Sequence, residues 1–277
     1  MGQLKFSANL GLLWTDRSLP EAIHAAAIAG FDAVECHWPY DVAIGDVRAA
    51  LATTGLKMLG LNTRRGDVSA GENGLAALIG RKADARASID EAIDYATGVG
   101  AKNIHVMAGV TKSVSDTDTD TDTDTNTDTN TDREKAAEAA FSDSLKYAAA
   151  HAAKQGLNIL IEPLNLHDNP GYFLTHCDQA RRIITGVGAP NLKLMFDCYH
   201  VQITEGDVVR RLSDNLDIIG HIQFAAVPDR GPPDHGDLDY YRVFEAIKTS
   251  GYDAPLGAEY RSASPTTASL DWLNWAR

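Results

Sequence analysis

Residues 192–224 read LKLMFDCYHVQITEGDVVRRLSDNLDIIGHIQF, and the whole fold can be worked out from them. Leu192 to Asp197 is an apolar run of strand length that ends on a carboxylate. Thr204 to Ser213 has helical spacing, and Ile218 to Phe224 is a second strand with Gln223 near its end. A strand, a short amphipathic helix and a strand form a βαβ unit, which implies a parallel sheet. The same unit recurs in both directions. Toward the N-terminus come a helix over Thr175 to Thr185 and a strand over Asn158 to Glu162. Beyond them lie an alanine-rich helix from about Arg133 to Gln155 and strand Asn103 to Met107. Helix Arg81 to Gly98, strand Leu56 to Leu61, helix Asp41 to Thr54, strand Ala33 to His37, helix Ser18 to Ala29 and strand Lys5 to Leu10 complete that half. Toward the C-terminus, helix Leu238 to Thr249, strand Pro255 to Tyr260 and helix Ser264 to Trp275 close the series. Gly30, Gly55 and Gly156 stop three of the helices, and Ser18, Pro20 and Glu21 open the first. Eight βα units in order, with short turns on one side, favour a closed (β/α)8 TIM barrel over an open doubly wound sheet. A chain of 277 residues suits one such domain over 1–277.

Composition narrows the function. The formal net charge of −13 includes seven aspartates between Asp116 and Asp132, so the remainder carries only −6. Phosphate contacts need clustered Lys and Arg, and no basic run occurs, which argues against nucleic-acid binding. The low-complexity stretch at about 113–132, almost pure Thr-Asp and Thr-Asn repeats, has no apolar residue after Val114 and reads as a solvated insertion. It lacks the glycine and terminal glutamate of an EF-hand loop, so calcium binding there is disfavoured. Cys36, Cys177 and Cys198 form neither a CxxC pair nor a disulfide framework. Without a signal-like N-terminus or a run long enough to span a bilayer, the expectation is a cytoplasmic enzyme acting on a small molecule, with no membrane partner.

Each of the last four strands ends in a polar residue that a purely structural strand would not need: Glu162, Asp197, Gln223 and Glu259. In a barrel these strand ends face one another across one mouth. One such glutamate could simply cap the next helix. Three carboxylates buried together without a cation would cost several kcal/mol in repulsion and desolvation. The expected metal ligands are therefore Glu162, Asp197, Gln223 and Glu259. An all-oxygen set suits Mg²⁺ or Mn²⁺ rather than zinc.

The run Glu162-Pro163-Leu164-Asn165, the step Asp197-Cys198-Tyr199-His200, His221-Ile222-Gln223 and the final Glu259-Tyr260 resemble the xylose-isomerase-like barrel superfamily. More narrowly, NTRRGDVSAGENGLAALIGR at 62–81, HVMAG at 105–109 and PGYFL at 170–174 resemble the hydroxypyruvate isomerase family, which includes 2-oxotetronate isomerases. The resemblance implies a (β/α)8 barrel, a divalent metal held by the four ligands above, and Glu162 and Glu259 as the catalytic acid/base pair. It also implies an aldose–ketose isomerisation through an enediol, with hydroxypyruvate becoming tartronate semialdehyde. Two positions depart from the family pattern. His167 stands where many members have arginine, and His235-Gly236-Asp237 stands where they often have Glu-Gly-Glu.

His200, Arg230 and His105 are the candidate substrate-binding residues. His200 could meet a substrate oxygen or cap a helix. Arg230, or else Arg64 or Arg65, could meet the substrate carboxylate. His105 and Glu35 end strands at the mouth, and Trp14 and Trp38 could wall it. Rival readings are a 2-oxotetronate isomerase, a sugar 3-epimerase, for which Gln223 in place of histidine is a poor match, a zinc endonuclease, and a non-catalytic sugar-acid binder. A homo-oligomer is compatible with a barrel of this size.

Overall fold

Alternation along the strands decides where each side chain goes. In a computed structural model that describes residues 3–111, 126–262 and 265–277, side chains 126–130 excepted, the short apolar runs form parallel strands. These are β1 (Phe6–Asn9), β2 (Ala33–Glu35), β3 (Lys57–Met58), β4 (Gly60–Asn62), β5 (Asn103–His105), β6 (Asn158–Ile161), β7 (Leu192–Asp197), β8 (Ile219–Phe224) and β9 (Leu256–Ala258). The sheet order is β3-β2-β1-β9-β8-β7-β6-β5-β4, every pair parallel.

The two ends of that order are consecutive in sequence, and this is how the barrel closes. Lys57 and Met58 pair with Ala33 and Val34 on one side, while Gly60 to Asn62 pair with Asn103 to His105 on the other. Leu59 bridges the two halves: its N–H donates to the Val34 carbonyl at 2.7 Å, and its carbonyl accepts from the Asn103 N–H at 2.9 Å. Nine pieces thus make eight barrel strands. At Gly60 a Cβ would stand 3.3 Å from the Asn103 carbonyl oxygen, so the bare backbone suits this tight seam.

The helices are α1 (Leu19–Ile28), α2 (Ile44–Thr54), α3 (Lys82–Val99), α4 (Asn126–Ala153), α5 (Cys177–Val187), α6 (Cys198–Thr204), α7 (Val208–Asn215), α8 (Tyr240–Ser250) and α9 (Leu273–Ala276). In α4, Ala137, Phe141, Leu145, Ala148, Ala149 and Ala152 are buried at helical spacing against the barrel wall. Phe6 on β1, Phe224 on β8, Phe244 on α8 and Trp272 meet edge to face with centroids 5.0–5.9 Å apart, tying strands to the outer layer.

Besides the expected strand over Leu56 to Leu61, which is divided into β3 and β4, three expected elements differ. The helix expected over Thr204 to Ser213 is two helices. α6 starts directly after Asp197, whose carboxylate accepts from the Tyr199 N–H at 2.9 Å, and the break before α7 falls at Gly206 and Asp207, both with positive φ. The final helix expected over Ser264 to Trp275 is a 3₁₀ turn at Thr266–Ser269 followed by the short α9. The Tyr260 hydroxyl, bonded to the Ser269 carbonyl and to the Trp272 indole, pins that segment instead. α4 begins seven residues before the expected Arg133, so Asn126 to Asp132 are helical rather than part of an irregular insertion. Aspartates suit the positive end of a helix. Residues 113–125 of the low-complexity stretch, and with them the calcium reading, lie outside the described residues.

Candidate active site

Inward positions of the strands carry an unusual amount of polarity. Asn9, Glu35, His105, His221 and Gln223 are all buried, and Glu162 and Glu259 lie buried one residue beyond β6 and β9. Pro163 follows Glu162, and Asp197 is at once the last residue of β7 and the cap of α6. The backbone therefore turns away immediately after each acid, leaving its side chain at the mouth.

Each acid divides its oxygens between fold and site. Asp197 uses Oδ1 for the cap, while Oδ2 has no hydrogen-bond partner among the described residues. Glu162 Oε2 lies 3.5 Å from His105 Nδ1, and its Oε1 is likewise unpartnered. Gln223 donates through Nε2 to Glu35 at 2.9 Å, leaving Oε1 unpartnered. Buried polar atoms are almost always bonded, so three unpartnered oxygens at one barrel end fit ligands to a cation. Glu259 is the most engaged. Its Oε1 accepts from Asn9 Nδ2 at 2.8 Å and meets His37 Nε2 at 2.8 Å, and its Oε2 accepts from Arg230 at 2.5 Å. The same Arg230 nitrogen is 3.7 Å from Asp197 Oδ2, so a guanidinium lies between two of the expected ligands.

Ligand atoms of Glu162, Asp197 and His200 lie within 4.8 Å of one another. His200 is nonetheless a poor ligand. Its Nδ1 accepts from the Asn165 backbone N–H at 3.1 Å, which places the proton of the neutral ring on Nε2, the nitrogen facing Asp197 at 3.7 Å. An Nε2–H donates to an oxygen and cannot bind a cation. Asn165 Nδ2 also donates to Asp168, which accepts from the Tyr199 hydroxyl at 2.7 Å, and Arg230 stacks on the Tyr199 ring. Arg230 itself has φ 55, held by its N–H bonded to Ala226 and its carbonyl bonded to Arg261.

The electrostatics follow from burial and neighbours. Burial, then repulsion from Glu259 and Asp197, raises the Glu162 carboxyl well above the usual range. Burial pushes Asp197 up to about 7 despite Arg230. Burial would raise Glu259 too, but Arg230 and His37 outweigh it and hold the group below its ordinary value. Burial pushes His105 down to about 4 and His200 to about 3, so both rings are neutral near pH 7.

The expected residues Glu162, Asp197, His200, Arg230, His105 and Glu259 meet at this end, and Gln223 joins them through Glu35 and Asn9. Arg64 does not join them. It is paired with Glu91 at 2.6 and 2.9 Å and lies over Tyr40. Arg65 lies over the Trp38 ring with Nε on Asn73. His167 is exposed, and His235 sits between Asp229 and Asp234 at 2.8 Å from each. Asn9, the last residue of β1, and His37, two residues beyond β2, join the site without being singled out by the sequence, although each is a polar side chain at or just past a strand end, the signal that marks the acids.

Fold and site together define a TIM-barrel enzyme with acidic and amide side chains gathered at the strand C-termini. The description "Xylose isomerase-like TIM barrel" matches residues 23–275, and the chain belongs to that family. It is an isomerase. It is 44% identical over 269 residues, 97% of each chain, to a 2-oxo-tetronate isomerase of Cupriavidus necator. It is 34% identical over 271 residues, 98% of each, to the hydroxypyruvate isomerase of Escherichia coli. A crystal structure titled AP endonuclease, family 2, from Brucella melitensis superposes with TM-score 0.88 at 33% identity, covering 99% of this chain and 100% of that one. Among the described residues no helix is long and apolar enough to cross a membrane.

Proposed function

We propose that the chain interconverts hydroxypyruvate and tartronate semialdehyde, with Glu162 and Glu259 moving a proton between neighbouring carbons. The observation that carries this reading is the set of unpartnered buried oxygens on Glu162, Asp197 and Gln223, gathered at the barrel end that also holds Glu259. Those four residues would hold Mg²⁺ or Mn²⁺, whose charge would polarise the substrate oxygens and favour the enediolate by several kcal/mol. One glutamate, as the carboxylate, takes the proton from the hydroxylated carbon, and the other, as the protonated carboxyl group, gives its proton to the former carbonyl carbon. The hydroxyl proton passes to the former carbonyl oxygen, so atoms and charge balance. The His200 Nε2–H donates to a substrate oxygen, and His105 lines the same floor. Arg230, already among carboxylates, meets the substrate carboxylate.

A second reading, 2-oxotetronate as substrate, is favoured by the higher identity to the Cupriavidus necator protein. The same proton transfer applies with one more carbon. The acidic balance supports a small-molecule substrate over a nucleic acid, and three free, buried cysteines support a reducing cytoplasm. A symmetric homo-oligomer belongs to the same reading.

Each 2-oxo acid is incubated separately with purified protein and Mn²⁺ in D₂O, following the 3-oxo product, an aldehyde from hydroxypyruvate and a ketone from the four-carbon acid, and deuterium uptake at carbon. Turnover of either is expected. No exchange with either substrate would overturn the reading.

A further inference from the structure

Glu35 is a carboxylate that the proton transfer does not use. Its side chain, on β2, is 5% exposed. Burying that charge is costly unless donors surround it, and three do. Oε1 accepts from Gln223 Nε2 at 2.9 Å and from Asn9 Nδ2 at 3.1 Å, while Oε2 meets His221 Nε2 at 2.6 Å. β9 makes room for it: a Cβ on Gly257 would stand 2.5 Å from Glu35 Oε1, 2.7 Å from Gln223 Cγ and 2.9 Å from His221 Nε2.

A glutamine is an ambiguous cation ligand. Its amide can turn either oxygen or NH₂ toward the site, and only the oxygen binds a cation. An acceptor placed behind the amide removes the ambiguity by claiming the NH₂. Asn9 is fixed the same way, because its Oδ1 accepts from the Gly11 N–H at 2.9 Å and its NH₂ must then face Glu35 and Glu259. We infer that Glu35 is a positioning residue that sets the amide orientation of Gln223, aiming Oε1 at the cation. The inference rests on the metal reading above, and it assigns a role to a side chain that touches neither cation nor substrate.

Mn²⁺ affinity is measured by calorimetry without substrate. If the wild-type chain takes up no Mn²⁺, the metal reading itself falls. With the wild-type chain binding, Glu35→Gln should weaken affinity by about 10–100-fold. In a Gln223→Ala background the same substitution should change affinity little, whereas a general loosening of the barrel would weaken both backgrounds alike. The swap Glu35→Gln with Gln223→Glu conserves charge and gives position 223 two oxygens, so it should recover part of the binding. Should Glu35→Gln fail to fold, Glu35→Asp keeps the charge but withdraws the acceptor, and weakened binding is again expected. Wild-type affinity in whichever variant folds, or equal losses in both backgrounds, overturns the assignment to Glu35 alone.

Discussion

Asp197 caps α6 with one oxygen and turns the other into the site, and Gln223 divides its amide in the same way. A residue that serves the fold and the site at once cannot be read from its identity alone. Side-chain type alone gives acids and amides at strand ends, but which atom is free depends on partners far away in sequence. Replacing Glu259 by Gln should lower turnover by about 10²–10⁴-fold while the far-ultraviolet circular dichroism stays unchanged. Wild-type turnover would remove it from the acid/base pair. Titration gives a second test. Asp197, near 3.9 in an unfolded chain, is raised to about 7 here. The metal-free fold holds its proton after the unfolded chain has lost it, so this stabilising effect is full below the unfolded value and is lost as pH rises toward 7. Glu162 is raised in the same direction. A cation binds the deprotonated carboxylates, so the rise in melting temperature on adding Mn²⁺ should be larger at pH 8 than at pH 5.5. Equal shifts at both pH values would count against these two ligands.

At the scale of the element, most strands are legible as short apolar runs, but the strand expected over Leu56 to Leu61 divides at Leu59 into β3 and β4, where the barrel closes. The helix boundaries were less so. The split between α6 and α7 depends on the Asp197 cap and on Asp207 at φ 46, and neither leaves a periodic signal. The C-terminal segment looks amphipathic, yet Tyr260 and Trp272 hold it by hydrogen bonds that outweigh weak helical propensity. Two substitutions probe this level. Asp239 caps α8, accepting from the Arg242 N–H, and Asp239→Ala should cost about 1 kcal/mol in urea unfolding. Gly257→Ala on β9 drives a methyl against Glu35 and His221 and should cost about 1–3 kcal/mol by the same measurement.

Over the whole molecule, closure is the decisive event. It joins β3 and β4 through Leu59 and brings Asn9, 250 residues distant in sequence, to Glu259. The aromatic cluster around Phe6 ties β1, β8, α8 and the C-terminal segment together. Phe6→Ala should therefore cost about 3–5 kcal/mol in one cooperative transition, and a separate early transition would show that the halves unfold independently. The sequence by itself determined the count of βα units, hence the barrel, and placed Glu162, Asp197, Gln223 and Glu259 at strand ends, because alternation and chain direction are local properties. Only the tertiary structure decided that Arg230 lies between Glu259 and Asp197, that Arg64 turns away to Glu91, and that Glu35 holds the Gln223 amide. Those outcomes depend on which side chains closure brings within hydrogen-bond reach, and no local pattern encodes that distance.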